Sequence, residues 1–423
     1  MRLFWMILFL LPVTIKAQLP DDVVMPNIRT VKLFMQNNQT GYPIITLGSI
    51  NDLELHFDDM DGFVKNYSYS FQLCNADWSI SNLSPFDFIS GFTQTRINQY
   101  RQSSIAKTKY VHYQATLPDR NNRPSKSGNY LLKVFLNGDV NQVAFTRRVL
   151  VVDQKAGIGA QIQQPFGAEF FKTHQKVQFV VDRSKIDIVN PQQVKVVILQ
   201  NFRWDNAKTD IKPTFIKGNT LEYNTENDAL FPGGKEYRWI DLRSFRFASD
   251  RVEKNDLTTE PFTITVKPDP ERSQQRYYFF RDINGFYETT TTDLINPWWQ
   301  GDYAKVKFSF VPVDNQPYPD KKVYIAGEMT GYRYNDSTLM EYNADKGIYE
   351  KELFLKQGYY NYTYVTKDAK GNNVGVEQTD GNSLDTENTY TILVYYRSLA
   401  GRYDELIGVT TINSVNNRSG LKF

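Results

Sequence analysis

The feature that most constrains the fold is a two-residue alternation of apolar and polar side chains, which recurs along most of the chain. It is clearest in residues 67–73, 130–136 and 305–310. This period places successive side chains on opposite faces of a β-strand. Turn-forming pairs such as Asn-Gly, Asp-Gly and Pro-Asp separate these segments, and long runs with helical spacing are nearly absent. The sequence therefore predicts an all-β protein of tandem immunoglobulin-like sandwiches.

The length of 423 residues predicts several domains. We place a first β-sandwich at 22–153 and a second at 160–299, joined by a Gly-containing linker. A third sandwich is placed at 301–396, where the order of strands and turns is similar to early-set sandwiches that include glycogen-binding modules. The remainder, 397–423, is a short polar tail without a core-forming pattern.

The N-terminus has the features of a secretory signal peptide at 1–17. Arg2 precedes an apolar run from Leu3 to Leu11, and small Ala17 stands at the expected cleavage point. The apolar run is too short to span a bilayer of about 30 Å. We therefore expect export to the periplasm or beyond. Cys74 is the only cysteine, so no internal disulfide forms, and its place in an alternating strand indicates a buried, inert thiol.

The charge of the exported chain argues against a nucleic-acid partner. Removal of the predicted leader takes Arg2 and Lys16 from 49 basic residues, which leaves 47 against 47 acidic residues. Nucleic-acid surfaces need a basic excess to displace counterions. No other apolar stretch is long enough for a transmembrane helix, so no transmembrane segment is expected.

Residues suited to catalysis or to metal and cofactor binding are sparse. The three histidines are His56, His112 and His174; the first two alternate with apolar neighbours, which is typical of structural histidines. One cysteine and three widely spaced histidines give no zinc spacing. The acidic turn at 58–62 lacks the twelve-residue calcium loop, and no phosphate-binding loop is present. We therefore predict no catalytic, cofactor or metal residues, and a protein that is not an enzyme.

Carbohydrate binding by the third sandwich is the alternative function. Exposed aromatic rings stack on sugars in such modules. Residues 327–332 occupy the turn where glycogen-binding relatives usually carry a tryptophan, but here the aromatic residue is Tyr332. The alternating tyrosines of 359–364 are expected to pack inward. The sequence therefore favours core packing over sugar binding in this domain.

Several loop aromatics are candidates for contact with a protein partner, because Trp and Tyr carry much of the energy at interfaces. Trp298 and Trp299 are adjacent in a loop and cannot both easily face one core, so they are expected either in an inter-domain contact or at a partner interface. The full set of partner-interface candidates is Trp78, Phe86, Phe88, Phe92, Trp298, Trp299 and Tyr332.

An ordered set of short motifs resembles the plug proteins of the bacterial type IX secretion system. The motifs are 71–78 (Phe-Gln-Leu-Cys-Asn-Ala-Asp-Trp), Gly91-Phe92, 110–113, 127–130, 231–234, 282–285, 355–360 and 403–408. The resemblance implies a non-enzymatic periplasmic protein, peripherally associated with the outer membrane, that binds and closes the periplasmic opening of the large outer-membrane β-barrel translocon. The alternative is an exported glycan-binding protein that uses the third sandwich.

Overall fold

The structure is a computed structural model that describes residues 20–368 and 374–418. The predicted leader at 1–17 and the last five residues of the predicted tail lie outside the described residues. Within these ranges the chain forms strands and only short helices, namely α1 (Pro85–Phe88), α2 (Pro297–Gln300) and two 3-10 turns at Pro191–Gln193 and Glu328–Thr330. The predicted all-β class is confirmed.

The first sandwich is formed by the strands up to residue 152. These are β1 (Ile28–Met35), β2 (Ile44–Thr46), β3 (Leu53–Asp59), β4 (Tyr67–Cys74), β5 (Ile89–Gly91), β6 (Thr95–Arg96), β7 (Gln99–Gln102), β8 (Val111–Leu117), β9 (Asn122–Pro124), β10 (Gly128–Leu136) and β11 (Val143–Val152). One sheet has the order β1-β3-β8-β7 and the other β2-β11-β10-β4-β6, while β5 pairs with β9.

Aromatic side chains from both sheets fill the first core. The Phe57 ring lies 5.1 Å from Tyr67 and 4.9 Å from Phe145 in edge-to-face arrangements, which are favourable for aromatic pairs. The Tyr67 hydroxyl donates to Asp59 Oδ2 at 2.8 Å, so its polar end is satisfied inside the core. The inward positions of the alternating pattern therefore form one apolar layer between the two sheets.

The second sandwich begins with six strands. These are β12 (Gly157–Gln163), β13 (His174–Asp182), β14 (Val194–Gln200), β15 (Phe215–Lys217), β16 (Thr220–Tyr223) and β17 (Leu230–Pro232). One sheet has the order β12-β13-β16-β15, with β17 also paired to β13. Strand β14 belongs to the opposite sheet of this sandwich.

The third sandwich is formed by the next eleven strands. These are β18 (Arg238–Asp241), β19 (Val252–Asp256), β20 (Phe262–Val266), β21 (Asp269–Pro270), β22 (Tyr287–Glu288), β23 (Tyr303–Val311), β24 (Lys321–Ala326), β25 (Glu341–Asn343), β26 (Ile348–Lys356), β27 (Tyr359–Asp368) and β28 (Val374–Gly375). Strands β18, β22, β24 and β28 pair with β27 in one sheet, and the other has the order β19-β20-β23-β26-β25.

The chain then returns to the second sandwich. Strands β29 (Thr389–Tyr396) and β30 (Glu405–Asn413) add to β14 and complete its three-stranded sheet. This differs from the predicted boundaries, because 238–288 contributes to the third core and β29 and β30 to the second. The predicted tail from 397 contains a strand. The physical reason is that alternation of apolar and polar residues identifies a strand but does not determine which other strand it pairs with.

The first sandwich contacts both of the others through the outer faces of its two sheets. Leu150 and Val152 of β11 pack against Leu393 and Tyr395 of β29, in a cluster distinct from the three cores. On the opposite side, the outward residues of β1, β3 and β8 face the third sandwich. We call the contacts between the sandwiches the first–second, first–third and second–third seams.

Candidate functional site

A buried chain of polar side chains crosses the first–third seam. The Glu54 Oε2 atom lies 3.3 Å from His56 Nε2, and His56 Nδ1 lies 3.0 Å from His112 Nε2. His112 Nδ1 lies 2.7 Å from Asp58 Oδ1, and the Lys356 Nζ atom donates to Asp58 Oδ2 at 2.5 Å. Strands β3 and β8 supply the first four residues, and the end of β26 supplies the lysine.

A carboxylate lies at each end of the histidine pair. Asp58 accepts the Nδ1–H of His112, and Glu54 faces His56 Nε2. Burial lowers the pKa of His56, and it lowers the pKa of His112 to about 4. Burial alone would raise the pKa of Asp58, but the charge of Lys356 and the His112 bond hold it below its ordinary value.

This constellation is enclosed by aromatic rings. The Trp298 ring stacks on His56 at 3.9 Å between centroids, and the Lys356 ammonium lies 4.2 Å from the Tyr110 ring centroid. His112, Asp58 and Lys356 are each only 1% exposed. A general acid or base must reach the substrate proton, and these side chains face one another instead. The arrangement is therefore suited to holding two sandwiches together.

The first–second seam is organised by one buried carboxylate. Asp404 accepts hydrogen bonds from the Ala76 backbone N–H at 3.0 Å, from Lys195 Nζ at 3.0 Å and from Arg397 Nε at 3.0 Å. Charge-assisted bonds of this kind are stronger than neutral ones. The motif at 403–408 thus contacts the motif at 71–78, because the return strand β30 brings it there.

Trp78 lies in the same seam. Its ring makes an edge contact with Trp204 at 5.0 Å, and the Arg148 guanidinium lies 4.8 Å from each of the two indole ring centroids. The arginine therefore makes a cation–π contact with each indole. Trp78 is therefore half-buried and joins the first sandwich to the second.

Close backbone approach explains two glycine motifs at the second–third seam. A Cβ atom on Gly233 would lie 1.9 Å from the Ser383 carbonyl oxygen, and one on Gly285 would lie 2.2 Å from the Tyr332 hydroxyl. Gly285 has a φ of +81°, in the region that favours glycine. The Arg203 guanidinium lies 4.6 Å from the Tyr332 ring centroid, so Tyr332 occupies this seam.

The predicted partner-interface residues therefore fall into two groups. Trp78, Trp298, Trp299 and Tyr332 are half-buried between sandwiches, and Phe88 is fully buried in the first core. The prediction of a partner contact for Phe88 does not fit the structure, because its ring contributes to the core beside Tyr130 at 6.0 Å. Two candidates remain at the surface: Phe86 is 82% exposed and Phe92 is 69% exposed.

Phe86 and Phe92 stand on a rigid segment. Before α1, the Ser84 backbone N–H donates to Asp87 Oδ2 at 3.0 Å, and buried Phe88 fixes the far end of the helix. Gly91 has a φ of +100°, and a Cβ there would lie 2.1 Å from the Asn121 carbonyl oxygen. Phe92 N–H donates to the same oxygen at 2.6 Å. We call residues 84–92 the aromatic tip.

Sequence reasoning did not find the polar residues of the seams. Asp58, Lys356 and Asp404 each lie within a segment that was singled out, but without an assigned role. The available signal was a charged residue at a strand position flanked by apolar or aromatic residues. Pairing between segments about 300 residues apart, as between Asp58 and Lys356, depends on tertiary structure.

Three further observations bear on the class of protein. Within 20–368 and 374–418, no group of three or more His, Cys, Asp or Glu side chains is arranged to hold a metal ion. In the same ranges, no helix is long and apolar enough to cross a membrane. Burial raises the pKa of the Cys74 thiol to about 11, which leaves it protonated at neutral pH.

Comparison with known proteins gives a family and a relative of the same shape. A family profile described as "Type 9 secretion system plug protein 1st domain" matches residues 28–153. A solved structure of a hypothetical protein from Parabacteroides merdae ATCC 43184 is similar over 94% of this chain and 100% of its own, with 31% identity and a TM-score of 0.89. Trypsin-activated alpha-2-macroglobulin from Escherichia coli aligns over 95% of this chain and 30% of its own at 8% identity, and its TM-score of 0.16 supports no argument. No curated protein matches the chain.

Proposed function

This chain belongs to the type 9 secretion system plug protein family, and from this membership we propose that it binds and closes the periplasmic opening of the outer-membrane translocon barrel. Its role is in type IX secretion. The proposed partner is the large β-barrel, and the proposed location is the periplasm, in peripheral association with the outer membrane. A wide barrel lumen is an aqueous channel, so covering it needs binding and no catalysis.

The observation that carries this proposal is the way the sandwiches are joined. Each seam contains polar contacts that are buried or half-buried, namely Asp58–Lys356, Ala76–Asp404 and Arg203–Tyr332. Breaking a buried ion pair by removing one partner costs about 3–5 kcal/mol. Sandwiches joined in this way keep a fixed arrangement, and a protein that closes a pore needs such rigidity.

We propose the aromatic tip as a contact with the barrel. Phe86 and Phe92 are the two predicted interface residues that the fold leaves largely exposed, and their backbone is fixed by the contacts described above. Rigid aromatic side chains lose little conformational freedom on binding and often form the energetic centre of an interface. A plug must also leave, so the surrounding interface is expected to be moderately polar.

The test measures binding of the full exported chain to the purified translocon in detergent. The double variant Phe86→Ser and Phe92→Ser is expected to weaken the affinity at least tenfold, as truncation of interface anchors does. Phe166→Ser is the matched control, because Phe166 is 83% exposed on the second sandwich. The proposed plug function is wrong if the wild-type protein does not bind the barrel, or if deletion of its gene leaves outer-membrane permeability unchanged.

The glycan-binding alternative has less support. Tyr332 lies in the second–third seam, and Tyr360, Tyr362 and Tyr364 are almost fully buried in the third core. The rings that prompted this alternative therefore contact the chain's own residues. Calorimetric titration with α-glucans tests it directly, and heat of binding that is lost in a third-sandwich variant would restore it.

A further inference from the structure

Residues 276–281, Arg-Tyr-Tyr-Phe-Phe-Arg, form an exposed segment that neither the core nor the proposed plug contact uses. The segment belongs to no helix or strand and precedes the motif at 282–285. Tyr278 is 78% exposed and Phe279 is 55% exposed. Two adjacent aromatic side chains with this exposure are uncommon on a surface that has no partner.

Contacts of Tyr277 and Phe280 with neighbouring residues hold the segment in place. The Tyr277 hydroxyl donates to Glu236 Oε1 at 2.5 Å and to the Asp385 carbonyl oxygen at 3.0 Å. The Phe280 ring packs on Trp239 at 5.1 Å between centroids. These two residues therefore face the protein, while Tyr278 and Phe279 between them face solvent. The exposed pair is presented by a fixed backbone, which lowers the entropy cost of binding.

The charges at the two ends of the segment have no partners within the described residues. Arg276 and Arg281 are both exposed and form no ion pair there. The nearby acids are already engaged. Glu236 accepts from Tyr277, Asp282 accepts from the backbone N–H groups of Tyr237 and Asn284, and Asp385 pairs with Arg418 at 3.0 Å. Lys235 adds a further cation and donates to the Gln275 carbonyl oxygen. The segment is thus aromatic in the middle and cationic at both ends.

The backbone of 276–281 is also open. In the part of the chain that the structure describes, its N–H and C=O groups make no backbone–backbone hydrogen bonds. Unpaired N–H and C=O groups can form hydrogen bonds with the backbone of an extended peptide. A lipid headgroup could pair with the arginines, but it could not use a row of backbone donors and acceptors.

We propose that residues 276–281 dock an extended, acidic segment of a partner protein. The partner's carboxylates contact Arg276 and Arg281, its apolar side chains cover Tyr278 and Phe279, and its backbone adds alongside the segment. This proposal does not rest on the plug function, since the segment lies outside the family match at 28–153 and away from the aromatic tip in sequence.

The experiment uses the full exported chain and three fluorescein-labelled peptides in fluorescence anisotropy. The peptides are Val-Glu repeated three times, its Val-Lys counterpart, and a Val-Glu peptide whose alternate amides are N-methylated. We expect the acidic peptide to bind, and the other two to bind at least tenfold more weakly. Vesicles of phosphatidylglycerol and phosphatidylethanolamine serve as the lipid probe in a parallel sedimentation assay.

Two double variants test the site, and both change exposed side chains that the fold does not need. Arg276→Gln with Arg281→Gln, and Tyr278→Ser with Phe279→Ser, are each expected to weaken acidic-peptide binding at least tenfold. The matched control is Arg246→Gln with Phe247→Ser, an exposed cation–aromatic pair in the same sandwich, and it is expected to bind as wild type does.

Three results would overturn the proposal. One is equal binding of the acidic and basic peptides, and another is unchanged binding in both site variants. The third is vesicle binding that depends on Arg276 and Arg281 without peptide binding, which would identify a lipid surface as the occupant. Each of these results is independent of whether the protein binds the translocon.

Discussion

Replacement of Lys356 by Met tests whether the first–third seam holds the molecule together. The Lys356 ammonium donates to Asp58 Oδ2 at 2.5 Å and to the Trp298 carbonyl oxygen at 2.5 Å, and it lies 4.2 Å from the Tyr110 ring centroid. Methionine keeps much of the length of the side chain and removes the charge. Asp58 then remains buried without a cation, although His112 and Tyr303 still donate to it.

The expected cost follows from this geometry. Both ionised groups are about 1% exposed, and removing one member of such a buried pair costs about 3–5 kcal/mol of unfolding free energy. The double change of Lys356→Met and Asp58→Asn leaves no unpaired charge, so it is expected to cost less than Lys356→Met alone. Lys346→Met is the control, because Lys346 pairs with Glu350 at 2.8 Å on the surface, where such pairs are worth about 0.5 kcal/mol.

The assay is urea unfolding of the full chain, monitored by tryptophan fluorescence. Hydrogen exchange along β3 and β26 gives a local readout. Trp298 lies in the seam and reports its opening. Hydrogen exchange is included because a chain of three sandwiches need not unfold in one step. The reasoning is refuted if Lys356→Met costs no more than Lys346→Met, or if the double variant is less stable than the single one.

Three other outcomes follow from the structure. Burial lowers the pKa of His112 from 6.5 to about 4, so the folded state favours neutral His112, and the folded protein loses about 3 kcal/mol of stability as pH falls from about 6.5 to 4. The urea midpoints of wild type and His112→Gln, compared across this range, should diverge only toward neutral pH. A difference that stays constant with pH contradicts this. Gly285→Ala should destabilise the second–third seam in thermal unfolding, whereas Gly218→Ala, with positive φ but open space, should cost only its backbone strain. Phe88→Ala should cost about 3–5 kcal/mol and Phe86→Ala within about 0.5 kcal/mol in chemical denaturation, and equal costs would refute their different burial.

The class of fold was predictable because its signal is local. The tyrosines at 359–364 illustrate this: alternation predicted that they pack inward, and Tyr360, Tyr362 and Tyr364 are at most 2% exposed. The partners of the strands were not predictable. Strand β29 lies nearly 190 residues beyond β14, with which it pairs, and nothing in its own sequence distinguishes that partner from β27.

The candidate site was predictable only in part. Exposed and buried members of the aromatic set have similar local sequences, since Phe86 and Phe88 are two residues apart and differ from 82% to 0% exposure. The one-turn helix α1 decides which ring points inward. Trp298 also had two readings in the sequence, and the stacking on His56 selects inter-domain packing within this structure.

The sequence by itself determined that the chain is all-β, how its strands alternate, and which motifs relate it to the plug family, because these depend on neighbouring residues and on their order. Tertiary structure decided where those motifs meet. Two contacts form only when the other two sandwiches cover the outer faces of the first: Asp58 with Lys356, and Ala76 with Asp404. The physical reason is that a buried charge is tolerated only with its counterion, and the position of that counterion is fixed by the packing of sheets rather than by the local pattern of the chain.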